Sequence, residues 1–249
     1  KPCGANAADA VAIAAAARAA GRTVGVGFMK RYSTANRIAR NLVRASEFGP
    51  VAGFFGEYMT APTYFTGNVD YTGFYLHHCV HYMDLVRYFV APVEAVTVQR
   101  NEIAPGRLLL HVHFAFEGGA IGTVIVGTLQ SRGTPVERIQ VMGDHRRVEV
   151  DGVIEVAYFR NPPFKADDPA ATLADGVDTL TWKPNFTAAA NEDFKGYNAM
   201  FGAFFAALDG QATDLPTIDD GVRAMGVLEA MIAGVKAPGV AQTVTQGPA

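Results

Sequence analysis

Residues 73–89, Gly-Phe-Tyr-Leu-His-His-Cys-Val-His-Tyr-Met-Asp-Leu-Val-Arg-Tyr-Phe, carry the side chains of this chain best suited to proton chemistry. Apolar residues recur there at helical spacing, and neither Gly nor Pro interrupts them after Gly73. On an α-helix His77, His81, Asp84 and Tyr88 share one face. The spacing therefore predicts a polar stripe on a helix that Leu76, Val80, Met83 and Leu85 make apolar enough to enter a core. Buried polar groups have to be paired or used. An imidazole titrates near pH ~6.5, so it is the natural side chain to take or give a proton at neutral pH. His77 and His81 also stand at the spacing by which one helix can hold a metal. No Glu follows His77 and no third ligand is evident, so no metal is assigned. Cys79, between the two, reads as a small core residue. Asp84 reads as a buried partner of Arg87 or of a backbone amide.

The elements that must position this helix are legible in outline. Asn6 is an N-cap and Gly21 a C′ residue for an Ala-rich helix with a narrow face of Ala10, Ile13, Ala14 and Ala17. A short strand is predicted over 23–28. A helix follows over 33–46, stopped by Phe48-Gly49-Pro50, and then a strand over 51–59. A loop over 61–72 leads into the histidine helix, which Pro92 ends. Strand signals then follow in series over 95–99, 108–116, 120–129, 136–142, 147–150 and 153–159. Gly118-Gly119 and Asp151-Gly152 are the hairpin turns among them. Strands joined in this way build a largely antiparallel sheet. Residues 161–192 read as a long excursion, either a lid or interface arm or a surface loop. Two helices close the chain, over 193–208 and 218–233, the second started by Asp219 or Asp220.

Composition narrows the function. Of 249 residues, 49% are hydrophobic and 18% charged, enough for a substantial core. A net charge of −3 gives no electrostatic case for nucleic acid or a membrane surface. Cys3 and Cys79 cannot form a disulfide framework, so a reduced, cytoplasmic setting is expected. No apolar run approaches the ~18 residues that span a bilayer. Asp9 and Arg18 argue against reading the Ala-rich start as a signal peptide.

Several segments carry a resemblance. In chain order they are Lys1-Pro2, Val26-Gly27-Phe28-Met29-Lys30-Arg31-Tyr32, Phe48-Gly49-Pro50-Val51, His81-x-x-Asp84-Leu85-x-Arg87-Tyr88, Phe116-Glu117-Gly118-Gly119, and Phe194-x-x-Tyr197 followed by Phe204. Each is short. As an ordered set, from Lys1 to about Gly234, they resemble the Gfo/Idh/MocA oxidoreductase family. The resemblance implies an α+β fold, a large and mostly antiparallel open sheet with helices on one face, preceded by a remnant helix–strand unit of a Rossmann domain. Residues 1–29 would be the last unit of a truncated dinucleotide-binding domain, and 30–249 the C-terminal substrate-binding and oligomerisation domain. No Gly-x-Gly-x-x-Gly occurs in the sequence.

The same resemblance implies an NAD- or NADP-dependent dehydrogenase acting on a sugar, polyol or related alcohol. Which of the two cofactors is used is not readable. His81 would be the base, and Lys1 would bond the reacting oxygen and contact the nicotinamide. Lys30 and Tyr197 would line the substrate pocket, with Arg31 either beside them or pairing an acid. His77 stands where many members have Asp, so it would take part in catalysis or bind a substrate hydroxyl. The uncovered sheet face implies a homodimer or homotetramer. The rival expectation is a non-catalytic binding or assembly protein, favoured by the absent Gly-rich loop and by His77.

Overall fold

The computed structural model describes residues 1–62, 69–131, 133, 135–160, 179–184 and 195–245. Its strands are β1 (Gly53–Met59), β2 (Val93–Ala104), β3 (Arg107–Phe116), β4 (Ile121–Gly127), β5 (Val136–Gly143), β6 (Arg146–Asp151), β7 (Glu155–Phe159), β8 (Thr179–Trp182) and β9 (Gln242–Thr243). They form a nine-stranded sheet in the order β8-β7-β6-β5-β1-β4-β3-β2-β9. Only β1 and β4 run parallel; every other pair described is antiparallel. The alternation is plainest in β3. Leu108, Leu110, Val112, Phe114 and Phe116 are buried on one face, and Arg107, His111, His113 and Ala115 are exposed on the other. The turn between β3 and β4 uses Gly118 and Gly119 at φ 83° and 88°, a left-handed conformation open to glycine.

Six α-helices are described. They are α1 (Ala7–Ala19), α2 (Thr34–Arg44), α3 (Thr72–Phe74), α4 (Val80–Phe89), α5 (Tyr197–Leu208) and α6 (Ile218–Lys236). A π-helical turn, Tyr75–Cys79, joins α3 to α4. Of these, α2 and α6 pack directly on the sheet, α2 on β6 and β7 and α6 on β2, and α6 also packs on α4 and α1. Thr217 and Asp220 form a capping box at the start of α6, so Thr217 caps it and Asp220 is its third helical residue.

Some sequence expectations change. On α1, Ala10, Ala14 and Ala17 are buried, but Ile13 is 41% exposed, because the contact with α6 is narrower than the predicted face. Residues 23–28 do not join the sheet. They make one bridge, Gly25 to Thr217, flanked by hydrogen bonds from Val26 N–H to Pro216 O (2.7 Å) and from Ile218 N–H to Val24 O (3.0 Å). Ala10, Ala14, Val26 and Phe28 belong to the same apolar core as the sheet and α6. The stretch read as an excursion contributes strand β8, paired to β7. The rest of 161–192, apart from 179–184, lies outside the described residues, as do 63–68 and Phe194. Among the described residues no helix is long and apolar enough to cross a membrane.

Candidate functional site

The polar residues of the histidine helix divide by depth. His81 is 3% exposed and Asp84 1%, while His77 is exposed. Helical spacing fixes the direction of a side chain but not its depth. Phe74, Tyr75 and Cys79 on either side of His77 are buried, so the helix is already in the core there, and the π turn over Tyr75–Cys79 breaks the α-helical spacing that would have set His77 above His81. The expected stripe therefore does not act as one buried face. In the π turn the N–H of Val80 reaches back to Tyr75 O, and single π turns occur often at functional sites. The carbonyl of His77 accepts a 2.7 Å hydrogen bond from Lys1 Nζ, so Lys1 is held against the helix that carries His81.

His78, which the sequence did not single out, is the second imidazole of the cluster. Its Nδ1 shares a 2.6 Å hydrogen bond with the hydroxyl of Tyr58. Its ring stacks between Tyr58, at 5.3 Å, and Phe74, at 6.2 Å, and Tyr58 stacks in turn on Tyr82, at 4.7 Å. Tyr82 donates to Glu57 O, which ties the column to β1. Tyr58 and Glu137 are cross-strand partners on β1 and β5, so strand register places their side chains on one face. Lys30 completes the group. It lies 4.8 Å over the Tyr58 ring and pairs with the carboxylate of Glu137.

This surrounding sets the protonation states. Burial, followed by the charges of Lys30 and Lys1, holds the His81 pKa well below its ordinary value. Its Nδ1 is buried with no hydrogen-bond partner. The same causes, burial and then Lys1 and Lys30, lower His78 to about 4. Both rings are neutral at physiological pH, and a neutral imidazole is the form that can accept a proton. Burial lowers Lys30 despite Glu137, and burial and Lys30 lower Lys1. Burial, with Glu137 next, raises the Tyr58 phenol, which stays protonated.

The remaining expected residues separate. Tyr197, at the start of α5, is 46% exposed and sits close enough to Tyr58 to act on it electrostatically. Arg31 turns away from its neighbour Lys30. Its Nε donates to Asp84 at 2.8 Å, its Nη2 pairs with both Asp84 and Asp220, and its guanidinium lies 5.1 Å over Tyr88. The partner of Asp84 is thus Arg31, in place of Arg87 or a backbone amide. Among the described residues no three His, Cys, Asp or Glu side chains gather as a metal-ligand set. Two signals for the missed residues were available. Tyr58 occupies an inward position of β1, where a hydroxyl needs a partner, and His78 adjoins His77. Glu137 gave none, because only strand register brings it to Tyr58.

Comparison with known proteins agrees with this architecture. Residues 46–237 match the family model described as "Oxidoreductase family, C-terminal alpha/beta domain", of the Gfo/Idh/MocA group. No curated protein sequence matches the chain significantly. Among solved structures, a dehydrogenase from Chromobacterium violaceum is 20% identical with a TM-score of 0.76, covering 95% of this chain and 69% of its own. Levoglucosan dehydrogenase in complex with NADH and L-sorbose is 18% identical with a TM-score of 0.79, covering 100% of this chain and 73% of its own. The WlbA dehydrogenase from Bordetella pertussis, in complex with NADH and UDP-GlcNAcA, is 17% identical with a TM-score of 0.70, covering 98% and 71%. The shared fold is the mostly antiparallel open sheet with its helices.

Proposed function

This chain belongs to the Gfo/Idh/MocA oxidoreductase family through its C-terminal α/β domain, and from that premise we propose that it handles the alcohol in an NAD(H)-dependent dehydrogenase acting on a sugar, polyol or related alcohol. The observation that carries the reading is His81, a buried neutral imidazole with an unpartnered Nδ1, set beside two lysines. NADH is the choice of nicotinamide because structural neighbours are crystallised with it. When bound, the nicotinamide supplies the site that accepts or returns the hydride. Lys1, held on the rim of the histidine helix, suits that end of the cofactor. The sequence has no Gly-rich loop for a pyrophosphate, which we assign to residues outside these 249.

In this reading His81 takes the proton of the substrate hydroxyl, and the carbinol carbon becomes a ketone as its hydride leaves. Lys1 has donors to spare beyond its bond to His77 O, and one of them polarises the reacting oxygen. Lys30 and Tyr197 line the pocket, and His77 offers its exposed ring to a substrate hydroxyl. Arg31 is left to its ion pairs. On the uncovered sheet face Ile121 is 69% exposed opposite Ala115, with His113 one pair further along, and we propose that a second copy covers it in a homodimer or homotetramer.

The test is titration with NADH and NADPH, followed by turnover on a panel of sugars and polyols. NADH binding is expected, and replacing His81 by Gln should abolish turnover while leaving cofactor affinity nearly unchanged. If a chain that includes everything upstream of Lys1 binds neither nucleotide, the non-catalytic binding or assembly reading, favoured by the absent loop and by His77, takes its place. A monomer by light scattering would exclude the oligomer.

A further inference from the structure

Three lysines from three separate segments converge on the candidate site. Lys1 is pinned to the histidine helix, Lys30 lies over Tyr58, and Lys195 precedes α5. Gly196 holds the start of α5 against the turn that carries Lys30. It packs so closely on the turn carrying Lys30 that a Cβ there would stand 2.5 Å from Met29 O and 2.4 Å from the Tyr32 carbonyl carbon. The charge of Lys30 acts on Lys1, and the charge of Lys195 acts on Lys30.

Among the described residues negative charge is scarce by comparison. Glu137 is the carboxylate that pairs with this group, and it is taken by Lys30. Lys1 bonds a neutral carbonyl, and among the described residues no carboxylate pairs with Lys1 or Lys195. Among the described residues two ammonium groups are thus uncompensated. A neutral polyol would leave them so, and a proton arriving on His81 would add a further positive charge in a poorly solvated place. An anion bound nearby would offset all three.

We propose that the substrate carries a carboxylate: a sugar acid or related polyhydroxy acid whose reacting hydroxyl meets Lys1 and His81 and whose carboxylate meets Lys195. The inference rests on the dehydrogenase reading only for the role of the hydroxyl. It predicts selection between molecules that differ in one group.

The experiment is calorimetric titration of the purified protein with matched pairs: D-glucuronate against D-glucose, D-galacturonate against D-galactose, and D-gluconate against D-glucitol. At low salt the acid of at least one pair is expected to bind about tenfold or more tightly than its neutral partner. Lys195→Gln, at an exposed position, should remove about tenfold of that preference, and raised salt should erode it. The inference is overturned if no acid binds more tightly than its partner, or if the preference survives both Lys195→Gln and Lys1→Gln. Turnover of neutral sugars with no preference for acids would overturn this inference alone. Tight, lysine-dependent binding of an acid, with no hydride transfer by a chain that includes everything upstream of Lys1, would support it and overturn the dehydrogenase reading alone.

Discussion

Lys30 and Arg31 are consecutive residues on one short turn, and each enters a different buried charge cluster. Arg31 meets Asp84 and Asp220, whose two carboxylates face one guanidinium in fixed geometry. Lys30 meets Glu137, but around that pair stand Lys1, Lys195 and two imidazoles, one with an unpartnered nitrogen. Burial works against the charges in both places. In the first cluster the carboxylates outweigh that cost for Arg31 and raise its pKa, although burial still raises the Asp84 carboxyl and lowers Arg87. In the second they do not, and His81, His78, Lys30 and Lys1 are all shifted toward their neutral forms. The contrast separates a structural lock from a site. A lock uses its charges on one another, whereas a site keeps groups unsatisfied for something that is yet to arrive.

The comparison is broken most severely at Asp84. Asp84→Ala removes one partner of a buried ion pair and is expected to cost about 3–5 kcal/mol of stability, read by urea denaturation. A loss below about 1 kcal/mol would mean that the Arg31 cluster is not a lock.

His81→Gln is the matching change in the other cluster. It should lower kcat by roughly 10²–10⁴-fold while leaving the urea midpoint nearly in place. A large fall in the midpoint with turnover retained would return His81 to the core.

Acid is the next lever. The folded His78 ring protonates at about 4, below the unfolded value, so acid favours the unfolded chain. Stability from this group is full above about pH 6.5 and falls as pH drops from there to about 4, by on the order of 1–3 kcal/mol. Comparing the native protein with His78→Gln across that window isolates the effect, and identical profiles would refute it.

The smallest expected change is at the Tyr58 hydroxyl. Tyr58→Phe deletes one hydrogen bond to His78, worth about 1 kcal/mol, and should shift the His78 ring nitrogens in an NMR spectrum far more than those of His81. Equal shifts would show that the two imidazoles respond as one unit and do not have separate roles.

Much of the scaffold could be read in the sequence because it depends on local rules. Alternation in β3, the Gly118-Gly119 turn and the caps at Asn6 and Gly21 are properties of neighbouring residues, and the structure shows each of them. The short strand at 23–28 failed because a strand needs an edge to pair with, and here one bridge to Thr217 takes its place. β8 was invisible because Thr-Leu-Thr-Trp is too short a pattern to stand out before β7 offers it an edge.

The candidate site divides along the same line. By itself the sequence determined that residues 73–89 form a helix bearing histidines and Asp84, and that Lys30 and Arg31 lie between the predicted strand over 23–28 and the helix over 33–46. Only the tertiary structure decided which of those groups meet. It brought Lys1 to His77 O across 76 positions and Arg31 to Asp84 across 53. It set His78 beside Tyr58, and it used the register of β1 and β5 to put Glu137 within reach of Lys30. The reason is physical. Periodicity records which way a side chain points from its own element, while burial, charge balance and proton affinity depend on what other elements place against it.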